Sequence, residues 1–325
     1  MEIGSFLELS FAKGKEWYAG DRDIARLNSG RAAIWYAAKA LGVSRVWLPR
    51  YQCDTVREFL LANGMAVQYY NIDRDFTPEL PANAADTAVV LCNYYGVMGE
   101  ARMRTLASRY QNVIIDNCQG FFAKPIVQAM NVYSARKFVG VPDGAYVIGC
   151  GAMQNLSAYP LDFSSDTADF LLKRIEYGCE GATYAARMRN EERIDHAPCR
   201  QMSRLTHAIL DGTDYTPIIE KRRENFELAH TLFADINLLQ PKQYYEATTV
   251  PMVYPLLVEQ EDLLDILLAN KHFQGHWWSY LLDEVAPNTT EAWLSRYMIP
   301  ITIDQRYGAA ELNAVYQIVK EHLKS

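Results

Sequence analysis

Residues 113–119 read Val-Ile-Ile-Asp-Asn-Cys-Gln, and the reading of this stretch governs the rest of the chain. Three β-branched residues in a row suit a strand covered on both faces, where no polar residue alternates with them. An acid follows at once, where such a strand emerges. Working outward, the same pattern repeats. Arg45–Pro49, Ala66–Ile72 and Thr87–Cys92 upstream, and 132–134 and Ala145–Ile148 downstream, are apolar runs of strand length. Helix-length stretches separate them. Residues 54–63 have a helix pattern with Asp54 as N-cap and Gly64 as the stop, and residues 100–110 have another. Buried strands alternating with helices predict a mostly parallel, doubly wound α/β sheet.

After residue 161 the rhythm changes. Residues 168–177, 182–193 and 218–233 read as helices. Strand candidates at 252–258 and 296–303 are each followed by a helix, at 261–270 and 309–323. This α+β pattern predicts a large α/β domain over 1–214 and a smaller C-terminal α+β domain over 215–325. A length of 325 residues suits about two domains at ~150 residues each.

Composition narrows the class. The chain is 50% hydrophobic and 22% charged, an ordinary soluble globular balance that excludes collagen and disorder. Its 32 Lys+Arg against 39 Asp+Glu give a net charge of −7, which suits neither nucleic acid nor an anionic membrane. The N-terminal residues lack the basic and apolar regions of a signal peptide, and no stretch is apolar for the ~20 residues a membrane helix needs. Six cysteines stand singly, with no Cys-x-x-Cys, which points to reduced thiols in the cytoplasm. The six histidines form no metal-ligand pattern, and neither a Gly-x-Ser-x-Gly nor a Walker motif is present.

Ligands of open parallel sheets bind at the carboxyl ends of the strands, so chemistry is sought there. Three groups qualify. Asn28-Ser29-Gly30-Arg31 opens a helix whose first N–H groups are unpaired, a seat for an anion with Arg31 adding charge. A plain Ser29 N-cap with a flexible glycine is the alternative. Asp116 at a strand mouth is partly desolvated and stays charged with a cationic or hydrogen-bonded partner, such as a protonated pyridine, or else caps the next turn. Lys137 lies between apolar residues and beside Arg136. Desolvation and a neighbouring cation favour a neutral, nucleophilic amine able to hold an aldehyde as a Schiff base. A surface Arg-Lys pair in a loop is the alternative.

Taken together, Ser29-Gly30-Arg31-Ala32-Ala33, Leu48-Pro49-Arg50-Tyr51, Asn93-Tyr94-Tyr95-Gly96, Asp116-Asn117-Cys118-Gln119 and Ser134-Ala135-Arg136-Lys137 resemble the sugar aminotransferases (DegT/StrS-like) of the fold-type-I pyridoxal-phosphate enzymes. Residues 221–225 and 303–307 also look familial. The resemblance is strongest over 28–150 and thin over 160–210. It implies the fold-type-I transferase architecture: a three-layer domain around a mostly parallel sheet, plus a small C-terminal domain. It also implies pyridoxal 5′-phosphate as cofactor. Lys137 would hold it as a Schiff base, with Asp116 on the ring nitrogen and Gln119 on the phenolic oxygen. Gly30, Arg31 and Ser134 would hold the phosphate, with Arg136 as a rival ligand. Tyr51 is chosen to stack on the ring, although the offset from Pro49 puts the usual aromatic position at Cys53.

The implied reaction moves an amino group from an amino acid, glutamate by expectation, to a keto sugar that is expected to be nucleotide-linked. Another pyridoxal-phosphate reaction (a dehydratase or lyase) and a non-catalytic binding or regulatory protein on the same scaffold are the alternatives. The resemblance further implies a homodimer. Tyr94-Tyr95 and Trp277-Trp278 are candidates for its interface or for the core. No metal is expected.

Overall fold

The computed structural model describes residues 3, 6–21, 23–82, 85–273 and 275–323. Eight strands form the main sheet. They are β1 (Ile24–Leu27), β2 (Arg45–Pro49), β3 (Ala66–Ile72), β4 (Pro78–Glu79), β5 (Thr87–Cys92), β6 (Val113–Asn117), β7 (Ala129–Ser134) and β8 (Ala145–Ile148). Their spatial order is β1-β8-β7-β6-β5-β2-β3-β4. The run β7-β6-β5-β2-β3 is parallel, while β8, β1 and β4 pair antiparallel. The chain leaves β2 for β3 on one side and for β5 on the other, so the strand order reverses beside β2. A crevice at the carboxyl ends opens at such a reversal.

Helices cover both faces. α1 (Gly30–Ala40) and α2 (Asp54–Ala62) lie on one, where Ala33, Ile34 and Leu60 pack with Ala88, Val90 and Ile114. α3 (Glu100–Ala107) lies on the other, where Met103 and Leu106 join Val89, Leu91 and Ile115. Residues alternate between faces along each strand, and both faces are apolar. This is why these strands read as unbroken hydrophobic runs.

The connection that follows holds α4 (Asp169–Tyr177), α5 (Ala182–His196) and α6 (Arg204–Asp211). The C-terminal region opens with α7 (Tyr215–Phe233) and continues through β9 (Val253–Leu257), α8 (Leu263–Ala269), α9 (Leu281–Glu284), α10 (Thr290–Tyr297), β10 (Met298–Thr302) and α11 (Ala309–His322). β9 and β10 pair antiparallel. Phe226, Phe233, Leu264 and Val319 of this region share one hydrophobic cluster with Val89, Leu91 and Ile115 of the main sheet.

Several elements differ from expectation. β1, α6 and α10 fall where the sequence reading expects no such element. The expected strand over 296–303 starts at Met298, because the residues before it finish α10. Cys53, not Asp54, holds the N-cap position of α2.

Candidate active site

Asp116 is the fourth residue of β6, level with Cys92 of β5 and Val132 of β7. Its Oδ1 accepts the Cys118 N–H at 3.0 Å, and its Oδ2 accepts the Gln52 Nε2–H at 2.9 Å. Cys92 Sγ lies 3.8 Å from the same Oδ2. A carboxylate only accepts, so it forces the Gln52 amide to face it with nitrogen. Gln52 follows β2 at the point where the strand order reverses. It is buried, and its Oε1 has no hydrogen-bond partner among the described residues. An unpaired buried acceptor costs ~1–3 kcal/mol, so something other than stability keeps an amide here.

Lys137 ends a single helical turn after β7, Ala135–Lys137, which is tied back by Phe138 N–H to Ala135 O at 2.9 Å. The residue is exposed rather than desolvated between its apolar neighbours. Lys137 follows β7, and Asp116 lies on the neighbouring β6, so both stand at the carboxyl end of the parallel strands. Burial pushes the Cys92 and Cys118 thiols well up, and the Asp116 carboxylate beside them pushes both further.

α1 starts against this mouth. Ser29 Oγ accepts the Ala32 N–H at 3.3 Å. The N–H groups of Gly30 and Arg31 remain, as the first turn of a helix leaves them. A Cβ on Gly30 would stand 2.7 Å from Cys118 Sγ, so glycine is what lets the helix start approach the turn after β6. Gln119 is held nearby: its Oε1 accepts the Tyr95 N–H at 2.6 Å. Tyr95 reaches that bond with φ 60°, a conformation rare for a bulky residue. Gly96 then has φ 71°, and a Cβ there would fall 1.9 Å from Gln119 O.

Other expected site residues lie differently. Tyr51 is fully buried, with its ring edge-on to Trp278 at 4.4 Å and its hydroxyl 2.9 Å from that of Tyr95. No face of it is open to a ligand, and the aromatic cluster against the C-terminal region is the reason. Trp277 stacks on Tyr95 in the same cluster, so both aromatic pairs pack within the chain. The two arginines are engaged by α5: Arg31 with Asp195 at 2.5 Å and Arg136 with Glu191 at 2.6 Å. Ser134 closes β7, buried, opposite Ala145.

The sequence reading missed three residues at the site. Gln52 is one. The others are Arg222 and Gln305, which hold the lysine turn from the C-terminal side. Gln305 Nε2–H donates to Phe138 O at 2.9 Å, and Gln305 Oε1 accepts the Arg222 Nε–H at 3.1 Å. Arg222 also donates to Met252 O at 2.9 Å and to Lys137 O at 3.4 Å, with its guanidinium 4.4 Å from the Phe138 ring. Burial pushes this guanidinium down to about 10. Residues 221–225 and 303–307 had signalled the segments but not the contacts.

Solved structures share this architecture. An aminotransferase of the DegT/DnrJ/EryC1/StrS type from Brucella abortus superposes with a TM-score of 0.62 at 14% identity, covering 94% of this chain and 87% of that one. The fold is theirs. NtdA from Bacillus subtilis, solved with bound pyridoxamine phosphate, gives a TM-score of 0.63 at 16% identity over 92% of this chain and 74% of its own. DesI, solved with its TDP-sugar product, gives 0.60 at 15% identity over 93% and 81%. No protein-family model matches the sequence, and no curated protein matches it. Among the described residues, no helix is long and apolar enough to cross a membrane, and no cluster of three or more His, Cys, Asp or Glu side chains is placed to hold a metal.

Proposed function

We propose that this chain is a pyridoxal-phosphate-dependent aminotransferase that moves an amino group from an amino acid, glutamate, to a nucleotide-linked keto sugar. The observation that carries the reading is the convergence of Asp116, Lys137 and the open N-terminus of α1 at one sheet mouth. The groups present fit the cofactor. Gly30 leaves a cradle that a Cβ would fill, and Asp116 is a carboxylate already oriented by two donors. DesI with its TDP-sugar supports the substrate class.

In this reading the Gly30 and Arg31 N–H groups bind the phosphate, with Ser134 beside them. Asp116 supplies the negative charge that a protonated ring nitrogen requires. Gln119 has its Oε1 taken by Tyr95, which leaves its NH2 for the phenolic oxygen. When bound, the cofactor supplies an electron sink for the carbanion formed on the substrate. Lys137 Nζ would hold the cofactor aldehyde, and as a free amine it would carry the proton from the substrate carbon to the former aldehyde carbon, work typically worth ~10²–10⁴-fold. Gln305 and Arg222 keep the lysine turn in place while its side chain moves.

The same proposal includes a division of the chain near residue 215, reduced thiols in a cytosolic protein, and a homodimer. All six cysteines are free. Leu172, Ile175 and Tyr177 of α4 and Tyr184 and Met188 of α5 are exposed apolar side chains that a second copy would cover.

A spectrum of the purified protein with pyridoxal phosphate, before and after glutamate, tests the reading. The visible band of the loaded protein should give way to the pyridoxamine form. Lys137→Ala should abolish both the band and turnover. An unchanged spectrum with cofactor bound would make the chain a binding protein, and full activity in Lys137→Ala would overturn the lysine assignment. A light-scattering mass of one chain would remove the dimer.

A further inference from the structure

We propose that Gln52 is a positioning residue for the candidate cofactor acid: it fixes the Asp116 carboxylate in the orientation and charge state that a protonated ring nitrogen needs. The inference rests on the functional reading above and deepens it. Gln52 Nε2–H donates to Asp116 Oδ2 at 2.9 Å while the Cys118 N–H holds Oδ1 at 3.0 Å. Oδ1 thus keeps a lone pair for a further donor, Oδ2 also has Cys92 Sγ at 3.8 Å, and the carboxylate cannot rotate without breaking a bond. An amide is suited to this task. It stabilises the ionised acid without neutralising it, whereas a cation in its place would compete with the ring nitrogen for the charge.

Two features separate this from ordinary packing. Gln52 is 3% exposed and leaves Oε1 without a partner among the described residues, so an apolar side chain of the same length would serve the fold better. Its backbone is also fixed from the far side of the crevice. Tyr280 of the C-terminal region donates its hydroxyl to Gln52 O at 2.6 Å, and Arg57 of α2 makes a two-pronged pair with Glu284 at 2.5 and 2.6 Å next to it. The docking of the C-terminal region therefore sets where Gln52 stands, and Gln52 sets Asp116.

The test uses the full chain loaded with pyridoxal phosphate labelled with 15N at the ring nitrogen. Gln52→Met keeps the length and removes the donor. Its thermal midpoint without cofactor should match or exceed that of the parent. Its ring-nitrogen signal should move toward the unprotonated position, and kcat with glutamate should fall about 10–100-fold with KM little changed, the usual scale for removing a group that orients a ligand from behind. Gln52→Glu keeps the shape and places a second carboxylate against Asp116. Two such groups share one proton, so its nitrogen signal should gain a titration that the parent lacks. This second variant carries the test if the first does not fold. A Gln52→Met protein with lower thermal stability but a parental nitrogen signal and kcat would reduce Gln52 to a packing role and overturn the proposal. Failure of the functional reading shows earlier and separately, when borohydride traps no cofactor on Lys137 of the parent protein; that result overturns both.

Discussion

The mouth of β5, β6 and β7 and the α4–α5 connection both touch the candidate site, and they are built on different principles. At the mouth, the working atoms are placed by backbone register and short buried bonds. Asp116 stands level with Cys92 and Val132, and Gln119 is pinned by a main-chain N–H. Along the connection, α4 buries none of its side chains, and α5 meets Arg31 and Arg136 through the ends of their side chains. A sheet positions a residue wherever its strand is correctly read. A long side chain goes where its partner is, and the partner lies far away in sequence.

The contrast breaks most sharply at Asp116. Asp116→Asn retains an acceptor for the Cys118 N–H, so thermal stability should change little. The charge opposite the ring nitrogen is lost, and kcat should fall on the order of 10²–10³-fold, as when a preorganised electrostatic partner is removed. Equal, large losses in stability and rate would make Asp116 a capping residue and erase the difference between the two regions.

This contrast also explains what could be read from the sequence. The strands were legible because both faces of the sheet are covered, and β2, β3, β5 and β8 have the bounds their apolar runs suggest. Asp116 and the Lys137 turn could be singled out because each stands at the end of a buried strand, where the chain turns from apolar to polar; their roles belong to the proposed function. Tyr51 was misjudged because nothing local distinguishes an aromatic that stacks on a ligand from one that packs on Trp278, more than two hundred residues away. Gln52 was open to discovery. It is a polar residue between the end of β2 and the start of α2, beside the strand reversal, and asking which neighbouring strand end it faces leads to Asp116. Arg31 was chosen with Gly30 for the start of α1 and Arg136 as a rival phosphate ligand beside Lys137. Their acids, Asp195 and Glu191, lie one helical turn apart on α5, a pairing no short motif reveals.

A smaller effect sharpens the comparison at the start of α1. Gly30→Ala would drive a methyl group into Cys118 Sγ, and overpacking of this kind costs ~1–3 kcal/mol. Chemical denaturation should show that loss, with weaker binding of pyridoxal phosphate. Adding Cys118→Ala makes room and should restore most of both. If the double variant recovers stability but not affinity, the helix start holds the fold and leaves the phosphate to other groups.

The smallest effect is expected on α5. Glu191 and Asp195 are partly exposed, and ion pairs of that kind contribute about 0–1 kcal/mol, so Glu191→Gln with Asp195→Asn should barely move the thermal midpoint. What changes is the freedom of two guanidinium groups beside the candidate phosphate seat. If α5 holds Arg31 and Arg136 away from the phosphate, releasing them should tighten pyridoxal phosphate more than pyridoxal, and added salt should reduce the gain. If α5 instead braces the arginines toward the phosphate, the double variant should bind pyridoxal phosphate less well and leave pyridoxal unaffected. Either sign assigns the arginines a role. Identical affinities for both ligands would leave the phosphate to the main-chain N–H groups of Gly30 and Arg31 alone, and would place the whole site within the sheet mouth.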